Sequence, residues 1–264
     1  MTVGTYIPSA TDERIFGLDI SSNQGLIDFA KMGAAKPRPR FVISRTGISW
    51  GYKDKYHRLY HEALGEIGIP RATYHVIYPD QPIKSQLDNY LSMFPNKDYG
   101  EGPIVNDVEL VRDVSPEKLS NAVEYFNKAL EDATGKEVWW YSRYSFVATY
   151  MKYQPWMESR RCIMAMYVDG SKYPPVREWT AAPAVPASLK YLPLAMIQTG
   201  DKGDGPYFGT VSNQVDTDRC LLTEDEFAKA FSQPASVPEP VGWVQAIDTW
   251  ARRLGFDGPK PEDN

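Results

Sequence analysis

Asp107 and Glu109 stand two positions apart in PIVNDVE, directly after a short apolar run. On an extended strand such a pair points to one face, with Cα atoms about 6.5–7 Å apart. Two carboxylates so placed cannot both ionise easily where water is partly excluded, so one of them keeps its proton to higher pH. A protonated carboxyl beside an ionised one is the equipment for breaking a glycosidic bond. Glu109, with the longer reach, is the expected general acid. In a chain with 34 Asp and Glu residues, about one D-x-E arises by chance, so the pair gains meaning only from its place at a strand end.

The same reasoning selects polar and aromatic residues at the ends of other apolar runs. Asp19 lies in FGLDI, Arg45 follows RFVIS, and Tyr74 and His75 lie in RATYHVI. Tyr141 ends VWWY, Tyr167 lies in IMAMYV, Gln198 ends LAMIQ and Asp216 ends QVD. A chain that needed only a sealed core would not require ionisable groups at so many such ends. In a parallel barrel these ends converge on one open face, and catalysis is built there. Single positions keep a second reading: Asp19 as a turn cap, Asp216 as an N-cap, and the tyrosines as core aromatics rather than platforms for the apolar faces of sugars. Trp139 and Trp140 alternate faces, so at most one looks inward.

The elements that must position these residues follow from periodicity. Strands are expected at Phe16–Ile20, Arg40–Ser44, Arg71–Ile77, Pro103–Val108, Val138–Tyr141, Ile163–Val168, Leu194–Gln198 and Gln214–Asp216. Helical spacing appears in Leu26–Met32, in Leu59 to Ile67 ahead of Gly68, and in Ile83 to Phe94. Ser115 and Pro116 open a further helix that Gly135 ends, and Thr223 with Glu226 forms a capping box for a closing one. Strand–helix alternation predicts a parallel sheet with helices outside, and eight strands suggest closure. Between Asp169 and Pro193 five prolines replace a helix with a loop, and GDKGDG at 200–205 reads as a turn. The fold class is therefore α/β: an irregular TIM-like (β/α) barrel with a short C-terminal helical tail. Residues 1–13 form an N-terminal arm, 14–232 the barrel, and 233–264 a proline-rich linker and an amphipathic helix. The apolar stripe of that helix, Trp243 to Leu254, either docks back on the barrel or serves self-association or a partner.

Composition narrows the function classes. The 264 residues carry 29 Lys and Arg against the 34 acids, a net charge of −5. That excludes an electrostatic nucleic-acid binder, which needs a basic face. No run approaches the roughly 18 apolar residues of a membrane span, and MTVGTYIPSATDERI lacks the pattern of a secretory signal. The expectation is synthesis in the cytoplasm and export by another route. Cys162 and Cys220 are too few for a disulfide framework and are expected as buried free thiols. Three histidines leave little material for a metal site; His57 and His61, in HRLYH rather than HExxH, are expected on a solvated helix face.

With these residues assembled, the chain resembles glycoside hydrolase family 25, the Ch-type lysozymes or N-acetylmuramidases. FGLDISSNQG looks like that family's opening G-x-D-[IV]-S-x-x-Q-G, and PIVNDVE like its P-x-x-L-D-x-E. FVISRTG, the helix ending in GIP, ATYHV, WWYSR, MAMY and MIQTG…GTVSNQVD are similar to further family segments in the same order, over about residues 14–232. The resemblance implies a modified β/α barrel, no cofactor, and cleavage of the β-1,4 bond between N-acetylmuramic acid and N-acetylglucosamine in bacterial peptidoglycan. It implies Glu109 as acid/base and Asp107 as the group that stabilises developing positive charge or orients the 2-acetamido group. Asp19 and Asp216 become supporting carboxylates, and Tyr74 and Tyr141 line the cleft; Tyr167, Arg45 and Gln198 complete the expected substrate-binding set. Ile163 and Ile197 stand where the family usually has tryptophan, and Asn106 where it has an apolar residue. Without a signal peptide, such an enzyme fits a phage endolysin or tail-associated lysin that reaches the wall after lysis, through a holin or within a particle. The alternatives are a non-catalytic glycan-binding or virion structural module on the same barrel, and a chitinase-like enzyme. The latter wants D-x-D-x-E, and its first position here is Val105.

Overall fold

The computed structural model describes residues 15–167 and 185–232. The N-terminal arm, Val168, most of the proline-bearing loop, and the linker with its Trp243–Leu254 stripe lie outside the described residues. Within them, β1 (Phe16–Ile20), β2 (Phe41–Ile48), a short β3 (Tyr52–Lys53), β4 (Arg71–Val76) and β5 (Ile104–Asp107) are followed by β6 (Val138–Arg143), β7 (Cys162–Ala165), β8 (Leu194–Asp204) and β9 (Gln214–Cys220). The sheet runs β1-β9-β8-β7-β6-β5-β4-β2-β3, and the β1–β2 pairing closes eight of these strands into a barrel. The helices are α1 (Phe29–Ala34), α2 (His57–Glu66), α3 (Ile83–Leu91), α4 (Pro116–Thr134), α5 (Tyr144–Tyr150) and α6 (Glu224–Ala230).

The alternation of each strand separates an inner from an outer column of side chains. Phe41, Ile43, Ala72, Val105, Trp139, Ile163 and Met196 fill the barrel. Val42 packs outward with Leu18, Tyr60 and Leu64, and Trp140 outward with Phe126, Leu130 and Trp156. Both tryptophans are fully buried, one on each side of the wall. At the end where β2 starts, Phe227 and Phe231 of α6 stack at 4.5 Å and close the barrel against Phe41. Room for these rings comes from glycine: a Cβ on Gly17 would lie 2.2 Å from Phe41, and one on Gly102 2.6 Å from Phe231. Among the described residues the other end, reached by the upper residues of the inner columns, is open.

Several local features expected from the sequence recur in the structure. The Ser115 side chain accepts from Lys118 N, Pro116 opens α4, and Gly135 ends it at φ 66°. Thr223 and Glu226 form the reciprocal capping box of α6. Cys162 and Cys220 are free and buried.

Other readings are corrected. The sheet is not wholly parallel, because β9 runs antiparallel to both β8 and β1. The link from Asp204 to Gln214 is too short for the crossover that a parallel return needs. GDKGDG is not a turn: β8 continues through Asp204 with two register shifts, and the reversal follows it. The Leu26–Met32 helix starts only at Phe29, because Asp28 caps it and a 3-10 turn, Ser22–Gln24, precedes it. β3 and α5 had no expectation. His57 and His61 do not face solvent; both are buried against Phe94, His57 within 3.2 Å of Ser44 Oγ. Burial pushes His57 down to about 3 and lowers His61 as well, so both stay neutral.

Candidate active site

The open end of the barrel holds a cleft of about 550 Å³. Its floor is apolar: Ile43, Val105 and Ile163 are the inner residues one layer below the polar ones. Above them stand Asp19, Tyr74, Asp107, Tyr141, Gln198 and Asp216, all named from strand ends, with Glu109 and Tyr167 at the rim. Each is carried there by period two on its own strand: Val105 is followed by Asp107, Trp139 by Tyr141, Ala72 by Tyr74 and Gly17 by Asp19.

Asp107 is the last residue of β5 and Glu109 lies just past it, with Val108 N still bonded to Tyr141 O. Both side chains reach the cleft, in unlike surroundings. Asp107 is only 8% exposed and its Oδ1 is buried without a hydrogen-bond partner among the described residues. Burial, then the negative charges of Glu109 and Asp19, push it well above the usual carboxylate range. Glu109 is more open and is met by Arg143, whose Nε and Nη2 lie 3.0 Å from Oε1.

On the opposite wall, Asp19 and Asp216 are direct partners in the antiparallel β1–β9 ladder and hydrogen-bond to each other. Burial pushes Asp19 up to about 6 and Asp216 to about 9, the second also raised by the charge of Asp19. The two therefore share one proton across neutral pH. Asp19 also accepts from Gln198 Nε2 at 2.6 Å. The orientation of that amide is fixed by its other end, because Gln198 Oε1 accepts from Tyr141 Oη at 2.7 Å and Tyr167 Oη at 2.5 Å. Both phenols remain protonated donors, since burial first and nearby charges next raise them.

Two polar lining residues were not anticipated. Asp218 sits below Asp216, 1% exposed, and burial with the charges of Asp19 and Asp216 raises it well above the usual range. The spacing D-x-D in QVDTD carried that signal, because residues 216 and 218 share a strand face. Arg143 stands two positions after Tyr141 and follows by the same rule.

Arg45 departs from expectation. It is not among the cleft-lining residues. Its Nε donates to Asp54 Oδ2 at 2.9 Å and its Nη2 to Ser22 Oγ at 3.1 Å. From there it acts on the cleft only through its charge, which opposes the upward shifts of Asp107 and Tyr74. His75, next to Tyr74, points away from the cleft and lies 2.9 Å from Ser49 O. Of the two isoleucines at tryptophan positions, Ile163 is floor, while Ile197 is fully buried and outside the cleft. Among the described residues no group of three or more His, Cys, Asp or Glu is arranged to hold a metal ion, and no helix is long and apolar enough to cross a membrane.

Such an arrangement supplies a partly open carboxyl beside a shielded one, a proton-sharing pair opposite, and phenols and an amide that fix their geometry. That is acid/base chemistry on a polar substrate with apolar faces. The profile of the family described as Glycosyl hydrolases family 25 matches residues 18–182. Among curated proteins none matches the sequence. Among solved structures, the lysozyme of Streptomyces coelicolor aligns at TM-score 0.65 and 20% identity, over 83% of this chain and 98% of that one. A family 25 glycosyl hydrolase from Bacillus anthracis aligns at 0.66 and 18%, over 88% and 99%. The catalytic domain of endolysin ply40 from Listeria monocytogenes bacteriophage P40 aligns at 0.64 and 18%, over 84% and 100%. At these identities the likeness is one of fold.

Proposed function

The chain belongs to glycosyl hydrolase family 25, and we propose that it is a peptidoglycan muramidase whose chemistry is carried by Glu109 and Asp107. The observation that carries this reading is the contrast between the two. Asp107 is shielded in the barrel mouth with one oxygen unpartnered among the described residues, and Glu109 stands at the rim within reach of solvent.

In this reading the muramoyl ring enters the mouth, with its anomeric carbon above Asp107. Glu109 passes its proton to the bridging oxygen as the C–O bond breaks and the electron pair leaves with that oxygen. Positive charge then grows on the ring. Asp107, a carboxyl that burial holds well above the usual range, orients the 2-acetamido group so that the group's own oxygen meets that charge. Water adds to the anomeric carbon and returns a proton to Glu109. Asp19, Asp216 and Gln198 hold the far wall, and Tyr74, Tyr141 and Tyr167 supply rings and hydroxyls to the sugar. Val105 in the floor weighs against the chitinase-like alternative, which would place a carboxylate there.

The biological setting we favour is a phage-type lysin, in keeping with the fold shared with a phage endolysin domain. The decisive experiment is digestion of purified peptidoglycan with a reducing-end assay and mass spectrometry of the fragments. New reducing-end N-acetylmuramic acid is expected. Reducing-end N-acetylglucosamine, released peptides or no cleavage would each overturn the proposal.

A further inference from the structure

Beyond the barrel mouth a second groove, of about 820 Å³, lies along α5. It shares two residues with the first cleft, Glu109 and Arg143, and its remaining wall includes Leu110, Phe146, Thr149 and Tyr150. We infer that this groove seats the sugars on the leaving-group side of the cleaved bond, with Tyr150 as their stacking platform. The inference rests on Glu109 as proton donor and adds to it where each half of the substrate lies.

The ring whose acetamido group Asp107 orients must lie over that residue, and Asp107 lines only the barrel-mouth cleft of the two. The proton donor must reach the bridging oxygen, which joins that ring to the next. Glu109 lines both hollows, so the scissile bond crosses at Glu109 and the departing chain runs into the α5 groove. Its chemistry suits a glycan. Tyr150 is 44% exposed and Leu110 37%, so both present apolar surface to the groove. Phe146 backs Tyr150 at 5.2 Å between ring centres and holds its plane. Pyranose rings offer CH faces to such a surface and hydroxyls to Ser145, Thr149 and Arg143 around it.

The test uses two defined peptidoglycan oligosaccharides that differ by one disaccharide on the reducing side of the cleaved bond, the bond being located by mass spectrometry. In the wild-type protein the longer substrate is expected to have a kcat/KM higher by roughly fivefold to tenfold. Tyr150→Ala should bring that ratio close to one, Tyr150→Phe should keep it, and Thr149→Trp, which fills the groove from an exposed position, should abolish it. Thermal melts show that each variant is folded. A wild-type ratio near one overturns the assignment, as does a ratio unchanged in Tyr150→Ala and Thr149→Trp, or equal losses on both substrates. If the wild type cleaves neither, the muramidase reading itself fails; if it cleaves both and only the ratio is insensitive, the groove alone is misassigned.

Discussion

Asp19 and Asp216 face each other across the β1–β9 ladder and hold one proton between them. Only the antiparallel return of β9 makes them register partners, and the shared proton has a consequence for stability. In the unfolded chain both carboxyls titrate near about 3.9. Folding raises them to about 6 and about 9, so the native state binds the extra proton between those limits. Their contribution is fully present below about pH 4 and is lost as pH rises through 6 towards 9. Asp216→Asn removes the titrating partner while keeping a donor for Asp19. Its melting temperature should fall less between pH 5 and 9 than that of the wild type. Parallel melting curves for the two proteins would refute the shared proton.

Glu109→Gln should fold normally and lose on the order of 10²-fold or more in turnover on peptidoglycan, because the amide cannot donate the proton that the leaving oxygen needs. Lysis at near wild-type rate by this variant removes Glu109 from the role.

Arg143→Met takes a cation from 3.0 Å beside Glu109. Without that donor the Glu109 carboxyl is no longer held in one orientation towards the bridging oxygen. Turnover on peptidoglycan should fall by roughly threefold to tenfold in kcat with KM little changed. A kcat equal to that of the wild type would mean that Arg143 does not position the acid.

Gly17→Ala places a methyl group inside the ring of Phe41, which is buried at the barrel floor with no space to turn. Overpacking of this kind costs about 1–3 kcal/mol. Denaturant unfolding should show that loss with activity per folded molecule unchanged; a neutral effect would mean that the floor can relax.

Much of this molecule was legible in the chain. Period two in PIVNDVE, RATYHV and VWWYSR already assigns inner and outer faces, so Asp107, Tyr74 and Tyr141 reach the same end once those strands are parallel neighbours. Caps are equally local, which is why Ser115, Gly135 and Thr223 mark their helices correctly. His57 and His61 show where local reading fails. Nothing in HRLYH reveals that Phe94, more than 30 positions on, covers that helix face.

The sequence by itself determined the eight barrel strands, the polar layer above an apolar floor and the candidate acid pair, because side-chain alternation and capping depend on near neighbours. Only the tertiary structure decided the direction of β9, the pairing of Asp19 with Asp216, the diversion of Arg45 to Asp54, and the meeting of Glu109 with Arg143. These are contacts between segments far apart in the chain. Their distances and burial set which carboxyl keeps its proton, and no spacing along the backbone encodes that.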